Sequence, residues 1–316
     1  MMHLKQLGSS CALWLGVAVG VLSACMDEMR SLPERTEGAL NPDPAQAAPN
    51  TEAASETETA SETEAANAEV RASAGCGASG RPEGGLVTLD AEYIYRFPES
   101  YDGSTPLPLV FAFHANANPN TQFLDATQGT PLAGNFVMAF PKSVGMGWAV
   151  DVDAPRLDGV YAELLANYCI DENRVFALGH SSGAQFIEQL LCRGETRFRA
   201  VAPSAGAATC ASWSPIPTLF IHGQNDTERL NSGDADGAKD LAGYVTSNSC
   251  QPSTQSYDVA GCLRDGAPVN PGCVSYEGCS APMVQCSHDD PNYGGTNHGW
   301  PCFATQAVFD FFTSQL

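Results

Sequence analysis

Hydrophobic positions along the chain fall into short continuous runs separated by segments of helical period. Leu107-Pro-Leu-Val-Phe-Ala-Phe113 and Phe136-Val-Met-Ala-Phe140 are nearly unbroken apolar stretches, the pattern of strands covered on both faces. Asp158 to Tyr168 then sets Val160, Tyr161, Leu164, Leu165 and Tyr168 on one helical face, with Asp158 as an acidic N-cap. A strand Val175-Phe-Ala-Leu178, a helix from Ser182 to Cys192, strands at 200–202 and Thr218-Leu-Phe-Ile221, and a last helix from Thr305 to Ser314 complete the alternation. The connections between core strands are too long for hairpins. The pattern therefore predicts an α/β domain on a mostly parallel sheet with helices on both faces. The stretch 250–302 interrupts it with six Cys and turn clusters such as Asn270-Pro271-Gly272, which predicts a disulfide-stapled loop region.

Upstream of residue 76 the pattern is different. Lys5 precedes an apolar, small-residue run from Leu7 to Leu22 that is short for a membrane span. It ends in Leu22-Ser23-Ala24-Cys25, which resembles the lipobox of bacterial lipoproteins. On that reading residues 1–25 are a signal peptide, Cys25 is lipidated, and the mature protein is anchored to a membrane by acyl chains; cleavage as an ordinary secretory signal is the alternative. Residues 26–75, with repeats such as Ala-Ser-Glu-Thr-Glu and 11 acidic against 3 basic residues, lack the apolar side chains that would offset the entropy of folding and read as a solvated tether. The folded domain then spans 76–316.

Charge and cysteine content narrow the class. The net charge is -21, with 36 acidic against 15 basic residues and no cationic cluster, which argues against nucleic-acid binding. Ten of the 12 Cys fall in the folded part (76, 169, 192, 210, 250, 262, 273, 279, 286 and 302), an even number that suits bridges formed outside a reducing cytosol. There is no Cys-x-x-Cys pair and no ligand-spaced His, so no metal site is expected, and no cofactor motif is present.

Gly179-His180-Ser181-Ser182-Gly183 lies between a buried strand and an amphipathic helix. A sharp turn there would expose a serine hydroxyl, and the flanking small residues let strand and helix approach closely, so Ser181 is the expected nucleophile. Ser204, in Ala-Pro-Ser-Ala-Gly, lacks the first glycine. Asp226 follows the strand Thr218–Ile221 at the sheet edge and is the expected acid, with Asp234, Asp236 and Asp240 as rivals in what reads as an acidic loop. His298, in Thr-Asn-His-Gly-Trp-Pro, comes last in the order such triads require and is the expected base. His288 competes for that role, and its neighbours Asp289, Asp290 and Asn292 could instead hold calcium or form a polar surface loop. His180 and His222 are expected to serve elsewhere. The backbone N–H groups of Ser182 and of Ala115 or Asn116 are the expected oxyanion donors.

With these residues in place, the chain from about residue 85 resembles the secreted serine esterases that include feruloyl esterases, acetylxylan esterases and polyhydroxybutyrate depolymerase-like proteins. The resemblance is carried by Leu107–His114, Tyr168–Gly183, Phe198–Gly206 and the tail Cys273–Cys279, Val284–Cys286, Asn297–Pro301 and Val308–Phe312, and the tail is most similar to the feruloyl branch. It implies an α/β-hydrolase fold, Ser181, Asp226 and His298 as triad, no cofactor, and an ester on plant cell-wall polysaccharide or a polyester as substrate, handled by a monomer. One departure is clear: the group has His-Gly after the early strand, where this chain has His114-Ala115-Asn116. An Ala in a loop needing positive φ would be strained. Trp148 and Trp300 could wall a hydroxycinnamoyl ring or be core. The readings carried forward are feruloyl ester hydrolysis, acetylxylan or polyester hydrolysis, and a catalytically inactive tethered binding lipoprotein.

Overall fold

The computed structural model describes residues 69–77, 85–89, 93–207, 210–226 and 236–316, all within the compact unit Thr57–Leu316. The leader, Cys25 and most of the expected tether lie outside the described residues. Residues 69–75, expected in the tether, are paired with the domain: Ala72 bridges Asp171, and the Ser73 hydroxyl donates to Tyr168 O and accepts from Ile170 N–H. The Cys76–Cys169 disulfide follows directly.

Ten strands form one sheet. In chain order they are β1 (Leu86–Leu89), β2 (Tyr93–Arg96), β3 (Leu107–Phe113), β4 (Val137–Pro141), β5 (Ile170–His180), β6 (Ala200–Ser204), β7 (Thr218–Gly223), β8 (Thr254–Ser256), β11 (Gly272–Tyr276) and β12 (Met283–His288), while β9 (Cys262–Arg264) and β10 (Ala267–Val269) pair separately. Their order is β1-β2-β4-β3-β5-β6-β7-β12-β11-β8. From β4 to β12 every neighbouring pair is parallel, and the pairs outside that block are antiparallel. This is the α/β-hydrolase fold that the sequence leads one to expect.

The continuous apolar runs divide by alternation between two cores. Val110 and Ala112 of β3, Phe176 and Leu178 of β5, and Leu219 and Ile221 of β7 join one cluster with Phe123, Leu132 and Phe311. Leu109, Phe111, Phe113, Val175, Ala177 and Phe220 join the other, with Leu164, Phe186 and Leu190. The first layer comes from α1 (Thr121–Ala126), α2 (Pro131–Asn135) and α6 (Ala304–Thr313), and the second from α3 (Val150–Asn167), α4 (Ser182–Cys192) and α5 (Asp236–Ser247). Each side chain such as Phe186 or Ile187, fully withdrawn from water, contributes about 1.5–3 kcal/mol.

Three expectations need correction. The helix read as starting at Asp158 starts at Val150, and Asp158 is an exposed mid-helix residue paired with Arg197. Its true opening is held by buried Asp153, which accepts from the N–H groups of Val144 and Ala149. The stretch read as an acidic loop around 236–240 is the start of α5, with Asp240 buried inside it. Finally, 250–302 is not only loop: β12 lies parallel to β7 in the central sheet, and its one-in-two polar residues hid it from a search for apolar runs.

The ten cysteines close five bridges: 76–169, 192–210, 250–279, 262–302 and 273–286. The last joins directly opposed residues of β11 and β12. Among the described residues no helix is long and apolar enough to cross a membrane.

Candidate active site

Ser181 stands between β5 and α4 with φ 53° and ψ -113°, a backbone region that an L-residue occupies only when its surroundings impose it. What imposes it is close packing. A Cβ on Gly183 would collide with the Phe113 carbonyl of β3, and one on Gly179 would lie 2.6 Å from Gly183 O. The turn is also tied sideways, since Ser181 N–H donates to Ser204 O at 2.8 Å. Ser204 thus serves through its backbone, and its own hydroxyl is buried with no hydrogen-bond partner among the described residues.

His298 lies on the loop between β12 and α6. Its Nε2 is 3.0 Å from Ser181 Oγ, and its Nδ1 lies 2.9 and 2.8 Å from the two carboxylate oxygens of Asp226. Asp226 is fully buried just beyond β7. A carboxylate only accepts, so Nδ1 carries the proton and Nε2 presents a lone pair to the serine hydroxyl. Of the rivals, Asp234 lies outside the described residues, as does the side chain of Asp236. Asp240 faces Gly206. His222 stacks on Phe220, with its Nε2 3.6 Å from Asp226 Oδ2.

His288 is buried against Phe303. Burial pushes its pKa down to about 4, only partly opposed by Asp290, so the ring is neutral. Two of the three residues weighed as calcium ligands, Asp290 and Asn292, are occupied elsewhere, and Asp289 is exposed. Asp290 makes a two-pronged ion pair with Arg264 at 2.9 and 2.8 Å and accepts from Cys302 N–H, while Asn292 exchanges hydrogen bonds with both backbone groups of Gly299. Burial alone would raise the Asp290 carboxyl, but Arg264 and Cys302 N–H bring it below its usual value. Among the described residues no group of three His, Cys, Asp or Glu is placed to hold a metal ion.

Asn297 does what its position beside His298 did not announce. It holds φ 59°, which Asn tolerates better than most residues. Its amide accepts from Asn225 N–H and donates to Asp290 O. A Cβ on Gly223 would strike Asn297 O, so the close approach of the His298 loop to the end of β7 depends on that glycine.

The loop expected to supply an oxyanion donor follows β3. The positive φ that would strain a non-glycine residue falls at Ala117 (57°), not at Ala115. Ala115 N–H is already engaged, donating to Gln122 Oε1 at 2.7 Å, whereas Asn116 is exposed at the surface. Ser182 opens α4, where free N–H groups and the helix dipole favour negative charge. Its hydroxyl accepts from Trp148 N–H, and Trp148 Nε1 donates to His114 O. His114 accepts from Ser143 N–H at Nε2 and donates from Nδ1 to Ala115 O; burial lowers its pKa and keeps it neutral. Trp148 packs with Phe186 and Trp300 with Phe123, so the two indoles belong to different core clusters and each is half-buried.

Comparison with known proteins finds similarity to esterases. The chain is 28% identical to a probable feruloyl esterase C of Aspergillus terreus, over 77% of its own length and 92% of the relative's. It is 27% identical to feruloyl esterase C of Emericella nidulans, over 76% and 90%. These similarities show a carboxylic ester hydrolase that resembles the feruloyl and acetylxylan esterase-like group. Acetyl xylan esterase from Aspergillus awamori matches the esterase's fold with a TM-score of 0.52 at 12% identity, over 72% of this chain and 98% of that one. No protein-family model matches the chain. These relatives are fungal, and they lend the bacterial lipoprotein expectation no support.

Proposed function

We propose that this ester hydrolase is a serine carboxylesterase that releases ferulate or a related acid from plant cell-wall polysaccharide outside the cytoplasm, with Ser181, His298 and Asp226 as its triad. The observation that carries the chemistry is the single imidazole hydrogen-bonded at one nitrogen to a buried carboxylate and at the other to the elbow serine. As the Ser181 oxygen attacks the ester carbonyl, its proton passes to His298 Nε2, and Asp226 holds the imidazolium. The N–H groups of Ser182 and of the 115–116 loop receive the oxyanion. Collapse breaks the ester C–O bond, the sugar oxygen takes the proton from Nε2, and the acyl group stays on Ser181. Water, deprotonated by the same nitrogen, then releases the acid.

The feruloyl assignment draws on the names of the relatives and on the tail resemblance; the oxidising location draws on the five bridges. Acylation of Cys25 rests on its lipobox alone. The test supplies methyl ferulate and feruloylated arabinoxylan beside acetylated xylan and polyhydroxybutyrate granules, each with the parent and Ser181→Ala. Ser181-dependent release of ferulate is the expected result. Deacetylation or polymer cleavage without ferulate release would move the substrate class, and no Ser181-dependent turnover on any ester would remove the triad.

A further inference from the structure

A continuous run of hydrogen bonds joins the oxyanion loop to the loop carrying His298, and it passes through a residue with no assigned role. Ala115 N–H donates to Gln122 Oε1 at 2.7 Å, Gln122 Nε2 is 3.2 Å from His180 Nδ1, and His180 Nε2 is 2.6 Å from His298 O. The chemistry of the ends fixes the middle. A carbonyl oxygen only accepts, so His180 carries its proton on Nε2, and its Nδ1 must then accept from the Gln122 amide. A backbone N–H only donates, so Gln122 turns Oε1 toward Ala115. Both ends demand the same amide orientation. The short helix α1 that carries Gln122 also meets the His298 loop by packing. Phe123, fully buried, sits edge-on to Trp300 at 4.8 Å between centroids, and Trp300 Nε1 donates to Thr305 Oγ1, which in turn donates to Ala126 O.

From this geometry we infer that Gln122 is a positioning residue: it holds the Ala115 peptide through its Oε1 and the backbone of His298 through His180, setting the distance between oxyanion donors and base. One consequence concerns the departure from His-Gly in the loop. With Ala115 N–H committed to Gln122, the loop's donor to the oxyanion is Asn116 N–H. The inference rests on the triad reading above but is separable from it.

Gln122→Leu removes the amide and leaves an apolar side chain one atom shorter. The expected result is a fall in kcat of about 10- to 100-fold per active site titrated with a fluorophosphonate, with KM within about threefold and a melting temperature close to the parent's. His180→Gln, whose amide can still donate to His298 O, is expected to lose less than His180→Leu. Because both residues act in one chain, Gln122→Leu combined with His180→Leu is expected to cost no more than the worse single substitution. Losses that multiply, or a kcat per titrated site equal to the parent's, would overturn the positioning role while Ser181→Ala stays inactive. Ester hydrolysis surviving in Ser181→Ala would instead remove the triad reading, and the two failures are thus told apart.

Discussion

The two halves of the site are held by opposite means. The elbow that carries Ser181 is fixed by the main chain: a strand, a helix, two glycines whose missing Cβ atoms admit neighbouring backbone, and one peptide hydrogen bond to β6. The loop that carries His298 has no regular structure of its own beyond the turn Tyr293–Gly295. It is fixed by side chains and cross-links: Cys262–Cys302, the Arg264–Asp290 ion pair, Asn292 bracketing Gly299, and Asn297 spanning Asn225 and Asp290. The position of the proposed nucleophile therefore depends on steric exclusion between main-chain atoms, and that of the proposed base on side-chain hydrogen bonds, an ion pair and a disulfide.

That difference predicts different failures. Gly183→Ala should give no folded enzyme, because its Cβ would lie on the Phe113 carbonyl and neither backbone can retreat without opening the sheet; soluble expression and circular dichroism check it. Replacing Cys262 and Cys302 together by Ala should leave a folded protein that is about 2–4 kcal/mol less stable, with activity lowered alongside, as denaturant unfolding and ester hydrolysis would show. Full activity in that variant would mean the loop is held without its bridge.

His288 gives a pH signature to the same side of the molecule. Its folded pKa of about 4 lies below its ordinary 6.5, so between those values the unfolded chain binds a proton that the native protein does not. Stability conferred by the neutral buried ring is complete above pH 6.5 and is lost as pH falls toward 4. The difference is worth about 3 kcal/mol. His288→Leu removes this contribution, and its stability relative to the parent should improve by about that amount from pH 7.5 to pH 4. A constant difference across that range would show that the ring titrates in the folded protein as it does in the unfolded chain. The smallest effect is expected from Asn297→Gly, which keeps the positive φ and deletes the bridging amide. Its kcat should fall about tenfold with little change in melting temperature.

The same contrast explains what could be read from sequence. The elbow was legible because all its parts are contiguous, from the strand ending at Leu178 through Gly179 and Ser181 to the helix beginning at Ser182. Asp226 and His298 were reachable only through the order in which motifs occur along the chain. Gln122 and Arg264 gave no signal, and Asn297 and Asp290 gave none of the contacts they make, because a polar residue in a loop or on a short helix looks the same whether it meets solvent or a partner elsewhere along the chain. Asp158 misled for a related reason: it is a good cap by type, but Asp153 is the acid whose carboxylate accepts from the Ala149 N–H at the helix start. Strand β12 was hidden by its polar Gln285 and Ser287, and α5 by the acids that surround its start.

The most direct test of the account is to label the protein with a fluorophosphonate and locate the adduct by peptide mass spectrometry, in the parent and in His298→Ala. The account predicts a single adduct on Ser181, formed at least about a thousandfold more slowly without His298. An adduct on Ser204 or another serine, or a Ser181 adduct formed equally fast in both proteins, would contradict it.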